Sequence, residues 1–266
     1  MEGARHSVIG ADDVSIGLLT AGTGPALLLV HGGMGRLEGW EPIWSALAEH
    51  RRVTAMDRRG RGSSGDTGLY ALSKEFEDIA AVATRLAQEQ DAPVDVFGHS
   101  YGATCTLGAA AQRAPFRRIA LYEPPGPQTV PREWVERATA LVSEGKTGRA
   151  MFSFITEVVG LTAEQFEEYR AVPGAQDVLP IVAATLPREA EALTSVDLSG
   201  LAAGVSVPVL LLLGATSPSW ADDITRVLAA ALTDAEIVIL PDNGHAAVNS
   251  APDLVVSELE HFFDRK

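Results

Sequence analysis

Two continuous apolar runs, Ala26 to Val30 and Val209 to Leu213, constrain the fold of this chain more than any other feature. Each has the length of a strand, and neither alternates polar with apolar residues. Runs of this kind belong to strands buried on both faces, and both are far too short to cross a bilayer. Arg52 to Met56, Val94 to Phe97, Arg118 to Leu121 and Ile237 to Leu240 complete the parallel set. Helical spacing fills the gaps: Pro42 to Glu49, then Tyr70 to Gln88 with Phe76, Ile79, Ala83 and Leu86 on one face, and finally Leu254 to Phe263. His6 to Ile9 and Val14 to Thr20, joined through Asp12-Asp13, have the signature of an opening hairpin. Strands that alternate with helices in this way give an α/β fold, a mostly parallel eight-stranded sheet covered by helices.

The rhythm breaks once. Between Pro124 and about Ala203 there is no buried-strand pattern. Trp134, Ala138, Leu141 and Val142 follow helical spacing, as do Phe152, Ile155 and Val159. Glu164 to Tyr169 and Leu179 to Leu193 suggest two more helices. Pro124-Pro125-Gly126-Pro127 marks the entry to this tract, and Gly200 with Gly204 the exit. The expected division is a core of residues 1–124 and 204–266 with an inserted helical cap at 125–203. Such an insertion is expected to lie as a lid over the carboxyl ends of the strands, where open α/β sheets bind ligands.

The 266 residues, 46% of them hydrophobic, suffice for one sizeable core and a small accessory unit. A formal net charge of -14 opposes binding to phosphate backbones and to anionic lipid. Neither nucleic acid nor membrane is therefore an expected partner; a small molecule is, and homo-oligomerisation stays open. The one cysteine, Cys105, permits no intramolecular disulfide and fits a buried core thiol. Met1 to Gly10 lacks the basic-then-apolar pattern of a signal peptide, so a soluble, cytoplasmic protein is expected.

The chemistry centres on Gly98-His99-Ser100-Tyr101-Gly102. This Gly-x-Ser-x-Gly lies between the apolar run ending at Phe97 and the alanine-rich stretch Ala103 to Ala114. Strand, sharp turn and helix are the context in which the pattern becomes a nucleophile elbow, presenting the Ser100 hydroxyl at the carboxyl end of the sheet. A serine hydroxyl needs a base to take its proton. His245, after the Ile237 to Leu240 run and near the end of the chain, is placed for that role. His261 lies in the last helix beside Phe262 and Phe263, and His6 and His50 have the setting of surface residues.

The chain resembles the α/β-hydrolase superfamily with a helical cap over nearly its whole length. The resemblance rests on Val30-His31-Gly32-Gly33-Met34-Gly35, on Met56-Asp57-Arg58-Arg59-Gly60-Arg61-Gly62-Ser63-Ser64, on the Ser100 motif and on Asn243-Gly244-His245, in the family's order. It implies Ser100 as nucleophile and His245 as base. It also implies an oxyanion hole made by the backbone N–H groups of Tyr101 and Gly33, with Gly32 and Met34 close to substrate. His31 would shape that loop, His99 would fill a variable position of the elbow, and Asp57 would anchor a turn.

The common family pattern places the triad's acid as Gly-x-x-Asp after the seventh strand. Here Leu213-Gly214-Ala215-Thr216-Ser217-Pro218 puts Ser217 at that position, where it is a candidate substrate contact instead. Some relatives carry the acid after the sixth strand, where this chain has Tyr122-Glu123-Pro124-Pro125. Glu123 would sit at a strand's carboxyl end, biased to an extended conformation by Pro124. Glu123 is thus the expected acid, with Asp242 and Asp223 as alternatives, and Ser217→Ala is expected to do little. Trp134, Met151, Phe152 and Phe154 are candidates to line an apolar substrate pocket, although packing among cap helices accounts for them equally well.

The expected function is a serine hydrolase cleaving a carboxylic ester or lactone of a mostly apolar small molecule. The acid after the sixth strand also resembles zearalenone-type lactonases. The alternatives are a C–C bond hydrolase or cofactor-free oxygenase on the same fold, or a non-catalytic ligand-binding receptor. With no metal cluster or dinucleotide fingerprint in the sequence, no cofactor is expected.

Overall fold

The computed structural model describes residues 1–159, 162–164, 166–167 and 175–265, with backbone alone over 175–180. The described residues divide into two compact units, Met1–Pro125 with Asp197–Lys266, and Gly126–Val196.

The first unit is built on an eight-stranded sheet in the order β1-β2-β4-β3-β5-β6-β7-β8. The strands are β1 (Ala4–Ile9), β2 (Ser15–Ala21), β3 (Ala26–Val30), β4 (Arg52–Met56), β5 (Val94–His99), β6 (Phe116–Tyr122), β7 (Val209–Gly214) and β8 (Ala235–Leu240). β1 and β2 form the expected hairpin, closed by a short turn in which Asp12 and Asp13 take positive φ, and β2 pairs antiparallel with β4. Every pairing from β4 to β8 is parallel. The apolar runs at β3 and β7 are buried along their whole length. β7 starts at Val209, where the buried run was expected to begin. Pro208 has no N–H to give a neighbouring strand, and its carbonyl instead accepts from the Ile119 N–H at 3.1 Å.

β8 departs from the buried-strand reading. It is the outer strand, and Ile237 and Ile239 remain 40% and 56% exposed. Helices α1 (Glu41–His50), α2 (Leu72–Gln90) and α3 (Tyr101–Ala111) connect strands, and Pro252–Phe263 closes the chain. α2 begins two residues later than its spacing suggested. Its acidic residues Glu75 and Asp78 are buried, each paired with an arginine of the loop after β4. Core packing gathers Leu29, Val53, Phe97 and Leu212 from the sheet with Trp40, Trp44, Leu259 and Phe263.

The second unit is helical: α4 (Arg132–Ser143), α5 (Thr147–Ser153), a π-helical turn Phe154–Val159 and a long helix Ala175–Leu193. Val182, Leu186, Ala190 and Leu193 form its buried stripe on the long helix. The expected helix Glu164 to Tyr169 lies partly outside the described residues. The segment 197–203, expected with the helical insertion, belongs with the sheet unit. Asp197 caps the helix Leu198–Ala203 by accepting the Gly200 N–H at 2.9 Å, and that helix packs on α3 and on the helix Ser219–Ala231. Among the described residues no helix is long and apolar enough to cross a membrane.

Candidate active site

Ser100 stands alone between β5 and α3, at φ 53° and ψ -127°. That conformation costs a non-glycine residue about 1–3 kcal/mol, so its surroundings must hold it. They do so through the two glycines of the motif. A Cβ on Gly98 would lie 2.7 Å from Thr106 Oγ1 and 2.8 Å from Ala103 Cα, and one on Gly102 would lie 2.4 Å from the carbonyl oxygens of Val30 and His31. Glycine at both places lets α3 fold back against β5 and the end of β3. The Ser100 N–H donates to the Tyr122 carbonyl at 2.8 Å, and its own carbonyl accepts from Ala103 at 2.7 Å, opening the helix.

Glu123 follows β6 directly and is fully buried; its φ is positive at 46°, not the extended conformation expected before Pro124. Its carboxylate meets three donors. Oε1 accepts the Gly214 N–H at 2.7 Å and the Ser217 hydroxyl at 2.5 Å, while Oε2 faces His245 Nδ1 at 2.5 Å. The imidazole donates from Nδ1, so its Nε2 is the nitrogen able to accept a proton. Asp242 and Asp223, the other acids weighed for this role, are exposed. The hydroxyl of Ser217, a candidate substrate contact on sequence grounds, is engaged with Glu123.

The loop carrying His245 crosses close over the end of β7. A Cβ on Gly214 would come within 2.6 Å of the Asn243 carbonyl oxygen, and the Thr216 N–H donates to that carbonyl at 2.9 Å. Three rings surround His245: His99 at 4.8 Å between centroids, Trp220 at 5.7 Å edge-on and Tyr122 at 6.1 Å. The nitrogen His99 Nε2 lies 2.9 Å from the His245 carbonyl oxygen, a geometry that fixes it as the donor. Burial first, and the neighbouring His245 second, push His99 down to about 3, so it is neutral.

The loop after β3 packs against Ser100. A Cβ on Gly32 would lie 3.0 Å from Ser100 Cβ and 3.5 Å from its Oγ. Gly33 and Met34 are half-buried beside it. His31 braces this loop as expected: Nδ1 donates to the Gly32 carbonyl at 2.8 Å, and Nε2 accepts the Arg58 N–H at 3.0 Å. Burial, followed by the charge of Arg58, holds His31 well below the usual histidine range. Arg61 donates to the Gly33 carbonyl at 2.8 Å. Asp57 takes the N–H groups of Leu37 and Ser63, each at 2.8 Å, and the Ser63 hydroxyl at 3.0 Å, which is how a turn anchor behaves. Tyr101 opens α3, where first-turn N–H groups point out of the helix end. Its ring lies under the Arg58 guanidinium at 4.7 Å, and its hydroxyl meets that of Tyr70 at 2.6 Å.

Trp134 is buried within the helical unit, donating its indole N–H to Ser153 at 3.0 Å and packing on Phe154, so its placement is accounted for inside that unit. Phe152 packs edge-on against Phe166 and is 42% exposed, which leaves ring surface accessible.

Little in the sequence marks Tyr122, Trp220, Arg58 and Glu75. Arg58 and Glu75 form a buried ion pair at 2.8 Å across 17 residues, and neither looks different in sequence from a surface charge. A usable signal lay in α2, where Glu75 and Asp78 flank the apolar stripe rather than oppose it.

Residues 27–258 match the alpha/beta hydrolase family. An alpha/beta hydrolase from Sphaerobacter thermophilus, known from its crystal structure, is 34% identical; the match covers 97% of this chain and 100% of that one, with a TM-score of 0.84. The enol-lactonase from Burkholderia xenovorans shares the fold at 24% identity and a TM-score of 0.77, over 98% of this chain and 100% of its own. N-formylmaleamate deformylase from Pseudomonas putida is 36% identical over 107 residues, 39% of each protein. This chain spans about two-fifths of the length of that relative. With the family's model matching residues 27–258 and a 34% identical relative covered along its full length, the chain belongs to the alpha/beta hydrolase family.

Proposed function

We propose that this protein is a serine hydrolase that cleaves a carboxylic ester or lactone of a mostly apolar small molecule through an acyl-enzyme. The observation that carries the reading is the buried Glu123 carboxylate on His245 Nδ1 at 2.5 Å, with Ser100 held in its strained turn. Ser100 Oγ attacks the substrate carbonyl while His245 Nε2 takes its proton. The N–H groups of Gly33 and Tyr101 receive the negative oxygen of the tetrahedral intermediate. His245 then returns the proton to the leaving alkoxide as the C–O bond breaks. Water attacks the acyl group, giving a proton to His245, which passes it to Ser100 Oγ as the acyl C–O bond breaks, releasing the carboxylic acid and regenerating Ser100 and neutral His245. Glu123 orients the imidazole and offsets its charge while it is protonated.

The test combines covalent labelling with turnover. A fluorophosphonate is expected to label the wild type and to leave Ser100→Ala unlabelled. Glu123→Gln keeps a group of the same shape but removes the charge, and is expected to lower kcat on a p-nitrophenyl ester by up to ~10⁴-fold. Labelling that survives in Ser100→Ala, or full activity in Glu123→Gln, would overturn the reading. Screening macrocyclic and small lactones against p-nitrophenyl esters then separates lactonase from esterase activity.

A further inference from the structure

We propose that His99 and Tyr122 are positioning residues, which hold the main chain on both sides of His245 so that its imidazole stays on Glu123. The inference rests on the reading of His245 as the base. Glu123 grips the ring at one atom only, Nδ1. The segment that carries the ring, 241–246, has no helix or strand to stiffen it, and its second residue, Asp242, takes a positive φ. Something else must fix the backbone from which the ring hangs.

The sheet supplies it. His99 and Tyr122 are register partners at the ends of the adjacent parallel strands β5 and β6. His99 Nε2–H donates to the His245 carbonyl at 2.9 Å. The Tyr122 hydroxyl donates to the Gly244 carbonyl and accepts the Ala247 N–H at 3.3 Å. Consecutive carbonyls, at 244 and 245, and the amide at 247 are thus tied to two side chains on one rigid edge. The rings support the same geometry, with His99 packed on Tyr122 at 5.1 Å and on His245 at 4.8 Å. Placing catalytic side chains on rigid elements, with a supporting shell that locks them, is what keeps a site within tolerance.

An imidazole suits this task because it donates a hydrogen bond without bringing a charge. His245 becomes cationic each time it takes a proton, and a second cation 4.8 Å away would oppose that step. Burial keeps His99 neutral throughout the range in which the enzyme would work. His99 thus fills the variable position of the serine motif with a residue that reaches across the sheet to the base.

The test uses the full chain with p-nitrophenyl butyrate and a fluorophosphonate. His99→Leu removes the donor and Tyr122→Phe removes a single oxygen. His99→Gln returns an N–H at similar reach. The first two are expected to lower kcat and the labelling rate of Ser100 by about tenfold, the effect of losing one such hydrogen bond, with KM changed less than about twofold. His99→Gln is expected to recover most of the loss. Full kcat in both His99→Leu and Tyr122→Phe, or a His99→Gln as impaired as His99→Leu, would overturn the proposal. If His99→Leu does not fold, Tyr122→Phe and His99→Gln carry the test. Activity that persists in Ser100→Ala would instead strike the serine-hydrolase reading, so the two failures are distinguishable.

Discussion

Two histidines near Ser100 are kept from titrating, and this sets how the molecule responds to acid. His31 is buried with both ring nitrogens engaged, and it lies well below the ordinary value of 6.5; His99 is pushed down to about 3. Above the ordinary value neither the folded nor the unfolded chain holds these protons, and the full stability is present. As pH falls below it, the unfolded chain binds protons that the folded chain refuses, and stability is lost. For the fully buried His31 alone the loss is about 1 kcal/mol at one pH unit below the ordinary histidine value. Urea midpoints measured near neutrality and near pH ~5.5 check this. An unchanged midpoint, or one that rises in acid, would refute it. At this scale the Gly-x-Ser-x-Gly pattern pointed to Ser100, and the family resemblance pointed to His245 and Glu123. The sequence was silent on the donors to Glu123, since Ser217 reaches that carboxylate from 94 residues away.

Among the elements, the ends of β6 and β7 converge on one point. Glu123 follows β6, and Ser217 lies in the turn after β7, where the Gly214 N–H and Ser217 hydroxyl both meet Glu123 Oε1. A carboxylate introduced at 217 would therefore arise beside the one it replaces. The double variant Glu123→Gln with Ser217→Asp is expected to regain at least about tenfold in kcat/KM over Glu123→Gln alone. A double variant no better than the single one would show that the two loops are not interchangeable. Ser217→Ala, expected to do little, now has a specific cost: it removes one of three donors to a buried carboxylate, worth roughly tenfold or less while the Gly214 N–H remains. The elements themselves were largely legible, because a strand covered on both faces leaves a continuous apolar run. β8 was the exception. Nothing in Ile237 to Leu240 says that no ninth strand lies beyond it.

Across the whole molecule, one buried carboxylate fastens the end of the chain to the middle of the sheet. Asp95 in β5 accepts from Arg51 at 2.9 Å and from Arg117 Nε at 2.9 Å. Arg51 also pairs with Asp264, and Arg117 and Arg118 donate to the Phe263 carbonyl at 2.7 and 3.1 Å. Desolvation raises the Asp95 carboxyl above its usual range, opposed by the two arginines. Removing the acid leaves Arg51, itself 2% exposed, with its buried carboxylate partner gone and the exposed Asp264 as its remaining ion pair. Asp95→Ala is expected to cost about 3 kcal/mol or more and to lower Tm by roughly 10 °C, readable by calorimetry. A shift of only about 1 °C would show that the network contributes little.

The sequence by itself determined the sheet, the order of its strands along the chain and the positions of Ser100 and His245. Those follow from local rules: apolar runs of strand length, glycines where a turn is tight, and a histidine after the last strand. The tertiary structure decided which groups meet. It joined Glu123 to His245 across 122 residues, placed His99 and Tyr122 under the loop that carries His245, and drew Arg58, Glu75 and Tyr70 in around Tyr101. A buried polar side chain is stable only with its partner in place. That partner is chosen by how the strands lie side by side, which no local stretch of sequence encodes.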